Sequence, residues 1–153
     1  MGKDLSKYHV IGSISSDLIS DVSFTNNGTL YAAPGIIKHI MKKHKDEFSD
    51  NEKSDIIETM KTVLESPDYI GEHPGKRGKS LEIIKRIDND LLLAVEIDSE
   101  NGYNYVSSMY PVTPSKINNR VNSNRLNILN HNRHSQLKQE VASTGIKKLN
   151  ISK

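Results

Sequence analysis

Cysteine and tryptophan are absent from this chain of 153 residues, and phenylalanine occurs only twice. The lack of cysteine excludes disulfides, thiolate catalysis, and zinc or iron–sulfur sites built on cysteine. Apolar residues make up 35% of the chain, so the core must come mainly from Ile, Leu, Val and Met. A chain of this length predicts a single domain of ordinary size.

Long hydrophobic runs are also missing. No stretch approaches the roughly 18 apolar residues that a membrane-spanning helix needs. The first residues, MGKDLSKYHVIG, lack the apolar centre of a signal peptide. We therefore expect a cytoplasmic protein, or a piece of a larger one, with no membrane partner.

Acidic residues are scarce at one end of the chain. From Lys116 onward there are eight Lys and Arg residues and one acid, Glu140, whereas the part before it has 13 Lys and Arg against 18 Asp and Glu. Such a basic segment is either a solvated tail or an electrostatic footprint for phosphate groups. We predict a domain at residues 1–129, followed by a flexible basic tail or linker at 130–153.

Two helices are predicted in the first half of the chain. The stretch GIIKHIMKKHKDEF, residues 35–48, places its apolar side chains on one arc roughly 140° wide. A second apolar stripe begins after Ser49, a good N-cap residue, and ends before Pro67, which disfavours helix for its neighbour.

The pattern changes to a period of two in the second half. Residues 81–87, 91–97 and 103–110 alternate as strands do, and Asn101-Gly102 between the last two is a strong hairpin signal. These segments predict an antiparallel meander. Shorter signals predict a strand at TLYAAP, a helix capped by Thr113, and an edge strand at RLNIL. The fold class is therefore α+β, with N-terminal helices packed on a twisted antiparallel sheet.

The segment SPDYIGEHPGKRGKS, residues 66–80, is predicted to be a loop. Its GKRGKS end suggests a phosphate-binding P-loop, but His73 stands where that motif needs a glycine, and a strand follows instead of a helix. We reject the P-loop. Lys76, Arg77 and Lys79 remain a basic loop able to contact phosphates.

Histidine is the chemically suggestive residue of the first helix. His44 falls near the middle of the apolar arc and His39 on its flank. Five residues apart on a helix, they point about 140° away from each other and would not chelate one ion. No HExxH motif is present, so neither a metal nor another cofactor is expected. Two interpretations stay open for His44: a core histidine bonded to a backbone carbonyl, or an acid/base group.

General acid–base chemistry without a metal fits the polar residues that remain. Imidazole titrates near operating pH, while hydroxyls and cations can hold a phosphate and stabilise its growing charge. Cleavage of RNA through its own 2′-OH needs such a set. The candidate residues are His39, His44, Ser107, Ser108, Tyr110, Thr113, Lys116, Arg120 and Arg125.

Several short motifs in order resemble a known group of nucleases. APGIIKHIMKKH, LESPDYIG and YVSSMYPVTPSKINNR are similar to the phage-associated families of the barnase–EndoU–colicin–RelE (BECR) superfamily. Related domains also occur at the C-terminal ends of polymorphic and contact-dependent toxins. The resemblance covers roughly residues 30–129 and implies N-terminal helices on a four-stranded antiparallel sheet. It also implies metal-independent endoribonuclease activity, often against tRNA.

The resemblance assigns roles residue by residue. The helix histidines of the pattern fall on His39 and His44, and the hydroxyl before the MY pair falls on Ser108. Strand parity would put Ser107 and Ser108 on opposite faces, so the choice of Ser108 depends on the resemblance. The remaining expected roles are orientation by Tyr110, phosphate contacts by Lys116, Arg120 and Arg125, and base stacking by Tyr69.

The leading hypothesis is thus a toxin or phage-encoded endoribonuclease that acts on RNA, plausibly tRNA, and has a cognate immunity or antitoxin protein. One alternative is a non-catalytic RNA-binding or phage structural module with the same fold. Another is a protein-interaction domain that does not bind nucleic acid. The endoribonuclease and the RNA-binding module both predict RNA affinity that falls with rising salt, whereas a protein-interaction domain lacks such affinity.

Overall fold

The computed structural model describes residues 3–152, with side chains as far as Thr144. The strands are β1 His9–Ile14, β2 Gly28–Ala32, β3 Tyr69–Gly71, β4 Ser80–Arg86, β5 Asp90–Asp98, β6 Tyr103–Pro111 and β7 Leu126–Ile128. The α-helices are α1 Ile36–His44, α2 Asp50–Ser54, α3 Ile56–Glu65, α4 Pro114–Asn122 and α5 His131–Ser152. Within the described residues, no helix combines the length and the apolar character needed to cross a membrane.

The strands form one sheet in the order β1-β2-β6-β5-β4-β3-β7. The α+β class agrees with the sequence prediction, but the sheet is mixed and not purely antiparallel. Strand β2 runs parallel to β6 through the pairs Leu30–Asn104 and Tyr31–Tyr105. This is possible because three helices and three strands lie between β2 and β6 in the chain, which is ample length for a parallel return.

The predicted meander is confirmed as β4-β5-β6, with antiparallel pairing on both sides of β5. The turn between β5 and β6 uses Gly102 at φ 75°, a conformation that glycine adopts without steric cost. The cap at Thr113 is also confirmed, since its side chain accepts a hydrogen bond from the backbone N–H of Lys116.

Two apolar cores lie on opposite faces of the sheet. Leu91, Leu93 and Val95 of β5 share one core with residues of α1 and α3, such as Ile40 and Met60. The alternate residues Ile84 and Leu92 share the second core with Ile117 of α4 and Leu137 of α5. The run LLLAV is continuously apolar because the first half of β5 is covered on both faces, a pattern usual for buried strands.

The second predicted helix is broken in two. Ser49 and Glu52 form a capping box at the start of α2, as the N-cap signal indicates. Asp55 then leaves the helical region at φ −148°, ψ 92°, and its carboxylate caps α3 by accepting from the N–H of Glu58. Aspartate competes well for backbone donors, so an internal Asp can end one helix and begin another.

Two strands occur where the sequence predicts none. Strand β3 lies inside the predicted loop, and β1 lies in a segment with little signal. A strand of three residues is too short to show a period. Residues 16–21, between β1 and β2, form turns.

The C-terminal segment is a helix, so the prediction of a flexible tail is wrong from His131 to Thr144. Leu137 is fully buried in the second core. Arg133 is 6% exposed and bonds Asp90, which is 0% exposed, with an Nη2–Oδ2 distance of 2.9 Å. The single acid of the segment, Glu140, pairs with the same guanidinium at 2.9 Å. The prediction for side chains after Thr144 lies outside the described residues.

Candidate active site

A β-bulge in β6 creates the polar stripe of the candidate site, which consists of the hydroxyl side chains of Ser107, Ser108 and Tyr110. Ala94 of β5 pairs with Ser108, but the next residue, Val95, pairs with Val106, which leaves Ser107 as the extra residue. Both serines therefore line the same cleft, and strand parity gives the wrong answer here. Bulges are common beside active sites because they redirect a side chain.

Helix α1 contributes an imidazole at each end of this stripe. His39 is exposed and lines a cleft together with Tyr105 and Ser107. His44 stacks on the ring of Tyr110, with centroids 5.4 Å apart and planes inclined by 30°. The histidines are five positions apart, which is roughly 7.5 Å of helix axis, so both lie along one strand of the sheet.

His44 is held by a carboxylate and not by the backbone carbonyl of the structural alternative. Its Nδ1 lies 2.5 Å from Oε2 of Glu47, and the His44 side chain is 15% exposed. An ionised carboxylate can only accept, so the Nδ1–H donates to Glu47, and in the neutral imidazole the lone pair is then on Nε2. A carboxylate bonded to one ring nitrogen in this way fixes both the tautomer and the ring orientation of a histidine.

The serine cleft is the small depression of about 190 Å³ beside the bulge, lined by Ser107, Ser108, Tyr110 and Lys76 among others. Lys76 reaches it from the loop before β4 and pairs with Glu96, with an Nζ–Oε1 distance of 3.1 Å. Its side chain is 53% exposed, so this surface ion pair is weak enough for a phosphate to replace the carboxylate.

Tyr110 is a hydrogen-bond donor at neutral pH. Burial raises its pKa above the ordinary value, and the charge of Glu82 raises it further, while the guanidinium groups of Arg120 and Arg125 oppose the shift. A phenol with a raised pKa keeps its proton. Tyr110 can therefore donate to a phosphate oxygen between the imidazole of His44 and two arginines, Arg120 of α4 and Arg125 just before β7.

The arginine cleft is a cavity of about 660 Å³ next to these groups, and its cations are Arg77, Arg120 and Arg125. Arg125 is committed to Glu82 through two parallel bonds of 2.8 and 2.7 Å. Arg120 differs, because its Nη1 is the buried side-chain atom for which the described residues supply no hydrogen-bond partner. A buried guanidinium N–H without an acceptor is suited to an anion.

Glycine at position 71 is required for this arrangement. A Cβ at Gly71 would collide with the backbone oxygen of Arg125. The close approach of β3 to the start of β7 thus sets the backbone from which Arg125 reaches Glu82.

Three predicted residues lie elsewhere. Tyr69 is 0% exposed, and its hydroxyl bonds Nδ1 of His134 at 3.0 Å. Its ring has no free face for a base, so the predicted stacking role is wrong. Lys79 and Lys116 are exposed. Neither lines the serine cleft, the arginine cleft or the cleft that His39 shares with Tyr105.

Comparison with known proteins identifies the family of this chain. A family model described as phage-Barnase-EndoU-ColicinE5/D-RelE like nuclease3 matches residues 9–119, well over half of the chain. The chain belongs to this nuclease family. The match begins at β1 and ends inside α4, so Arg120, Arg125 and all of α5 lie outside it. No curated protein and no solved structure matches the chain.

Several groups of this nuclease-family chain were not foreseen from the sequence. Glu47 has no distinguishing spacing in the sequence, since it is one carboxylate at a lysine-rich helix end. The tyrosines at positions 8, 31, 103 and 105 lie in three separate segments, so no local pattern groups them. Among the described residues, no cluster of three or more His, Asp and Glu side chains is arranged to hold a metal ion.

Proposed function

We propose that this member of the nuclease family is an endoribonuclease that cleaves RNA without a metal ion, by attack of the 2′-OH on the adjacent phosphate. The observation that supports the proposal is the placement of His39 and His44 along the polar stripe of β6. Ser107, Ser108 and Tyr110 lie between or beside them. Two imidazoles flanking phosphate-binding hydroxyls supply the base and the acid that this reaction needs.

His44 serves as the general base. Its Nδ1–H donates to Glu47, so Nε2 can take the proton of the 2′-OH. The O2′–P bond forms while the P–O5′ bond breaks. His39 gives a proton to the leaving O5′, which yields a 2′,3′-cyclic phosphate and a 5′-hydroxyl.

The remaining groups stabilise the five-coordinate phosphate. Tyr110 and Ser108 donate hydrogen bonds to its non-bridging oxygens, and Ser107 does so by releasing its 3.2 Å bond to the backbone oxygen of Ala94. Lys76 supplies positive charge in the serine cleft, and Arg120 supplies it from the arginine cleft, close enough to act on Tyr110. Such preorganised donors act where charge develops and are commonly a large term in catalysis.

The proposal predicts that the purified chain cuts total tRNA into discrete fragments in the presence of EDTA. Gel electrophoresis of the RNA after incubation measures this. Single-stranded DNA is the matched control substrate, since it lacks the 2′-OH nucleophile and should remain intact. Cleavage that disappears with EDTA, or equal cleavage of DNA, would contradict the proposal.

The same incubation tests the non-catalytic alternatives. RNA that stays intact but binds with an affinity that falls with rising salt would identify a binding module. Intact RNA with no salt-dependent affinity would favour a protein-interaction domain.

A further inference from the structure

Four tyrosines of the chain's six gather at one end of the stripe. Tyr8 lies 6.3 Å from Tyr103 and 6.5 Å from Tyr31, and Tyr103 lies 6.1 Å from Tyr31, all between ring centroids and all close to perpendicular. Tyr105 is 5.9 Å from Tyr103. All four remain partly exposed. A buried core cluster would hide these rings completely, so their partial exposure needs another reason.

Three of these rings open onto the tyrosine cleft, a depression of about 490 Å³ lined by Tyr8, Tyr103 and Tyr105, with His39 and Ser107 also on its wall. Tyr31 is not part of the lining. Ser107 also lines the serine cleft, so the two depressions adjoin. The aromatic surface therefore continues directly into the groove that holds the hydroxyls.

The charges of the tyrosine cleft favour a planar, polar occupant over a purely apolar one. Lys3 lies over the ring of Tyr8, with Nζ 5.4 Å from the centroid. Asp98 is at the cleft with Oδ1 bonded to the N–H groups of Glu100 and Asn101 in its own turn. Its Oδ2 has a long contact, 3.3 Å to Nδ2 of Asn101, and can still accept from an N–H.

We propose that the tyrosine cleft binds an unpaired nucleobase next to the phosphate that lies in the serine cleft. Tyr105 stands two residues before Ser107, and both line the tyrosine cleft, so a base on the ring of Tyr105 lies beside a phosphate held at the serines. Aromatic side chains that stack unpaired bases are the usual means of binding single-stranded RNA. The substrate is therefore a single-stranded segment, since a base inside a duplex cannot enter the cleft.

This inference rests on the proposed function in that it takes the groove to bind RNA, but its test needs no cleavage. The probes are fluorescein-labelled pentamers of 2′-O-methyl adenosine and 2′-O-methyl uridine, which lack a free 2′-OH. An abasic phosphodiester of equal length and charge is the reference. Fluorescence anisotropy measures each dissociation constant. Stacking of one base on an aromatic ring corresponds to roughly 5- to 150-fold in affinity, so we expect about tenfold tighter binding of a base-containing pentamer.

Tyr105→Leu and Tyr103→Leu should each reduce this preference for bases severalfold without changing the affinity for the abasic reference. Tyr31→Leu is the matched control, because Tyr31 belongs to the same cluster but lies outside the lining. It should keep the preference. Far-UV circular dichroism and a thermal melt establish that the variants are folded.

Equal binding of base-containing and abasic pentamers, or the absence of binding to either, would overturn the inference. A preference that survives both cleft variants, or that Tyr31→Leu removes equally, would overturn it too. The two proposals fail separately. A protein that prefers bases but leaves RNA intact keeps the base site and loses the catalytic role, whereas a protein that cuts RNA without any preference loses only the base site.

Discussion

Replacement of His44 by alanine is expected to lower kcat/KM for RNA cleavage by at least about 100-fold, since a positioned acid or base contributes roughly 100- to 10,000-fold. His39→Ala should cause a loss of similar size. Because the two imidazoles act in one proton-transfer sequence, kcat/KM of the double variant should be little lower than that of the less active single variant. Steady-state cleavage of tRNA in EDTA measures all three.

Two controls make this result specific. His131→Ala removes an exposed imidazole at the start of α5 and should leave the rate unchanged. RNA affinity of the two α1 variants, measured on an uncleavable 2′-O-methyl strand, should change less than about threefold, because catalysis and binding depend on different groups of the groove. Full activity in the double variant would remove the histidines from the mechanism.

Replacement of Arg133 by alanine is expected to cost about 3 kcal/mol of unfolding free energy. Removing one partner of a buried ion pair typically costs roughly 3–5 kcal/mol. The lower end applies because Asp90 keeps a second cation, Arg86, at 3.1 Å from its Oδ2. The pKa of Arg133 is shifted upward, because hydrogen bonds and charges from Glu140 and Asp90 outweigh the opposing effect of burial, so the guanidinium stays charged. Urea denaturation followed by circular dichroism measures the loss.

The matched control is Lys138→Ala, an exposed position on the same helix. It should change stability by less than about 0.5 kcal/mol, as surface substitutions usually do. If Arg133→Ala were equally neutral, α5 would not be an integral part of the domain, and the sequence-based prediction of a tail after residue 129 would be restored.

The parts of the fold that the sequence predicts are those with strong local signals. The meander is predictable because the period of two persists through each strand and Asn101-Gly102 marks the turn. Helices α1 and α4 are predictable from an apolar arc and from Thr113-Pro114. These signals depend only on residues close together in the chain.

The parts that the sequence does not predict depend on distant partners. Arg133 and Leu137 look like tail residues until Asp90 and the second face of the sheet are brought to them. Strand β3 is stabilised by pairing on both sides with β4 and β7, while its three residues carry no pattern. Because most of α5 is polar, its sequence pattern does not reveal the few residues that hold the helix against the sheet.

The candidate site shows the same division. Residue type, the position on the first predicted helix and the family resemblance together single out His39 and His44, and the structure places both beside β6. The position of Ser107 depends on a β-bulge, which no local sequence pattern predicts. One extra residue in a strand turns every later side chain to the opposite face of the sheet. The grouping of tyrosines likewise depends on β1, β2 and β6 meeting in the sheet.

The central claim is that the groove along β6 cleaves RNA through its own 2′-OH, and the chemical ends of the products test it most directly. Mass spectrometry of fragments from total tRNA, cut in the presence of EDTA, identifies those ends. The account predicts 2′,3′-cyclic phosphates on one fragment and 5′-hydroxyls on the next. Fragments that carry 3′-hydroxyls and 5′-phosphates would show that water is the nucleophile and would contradict it.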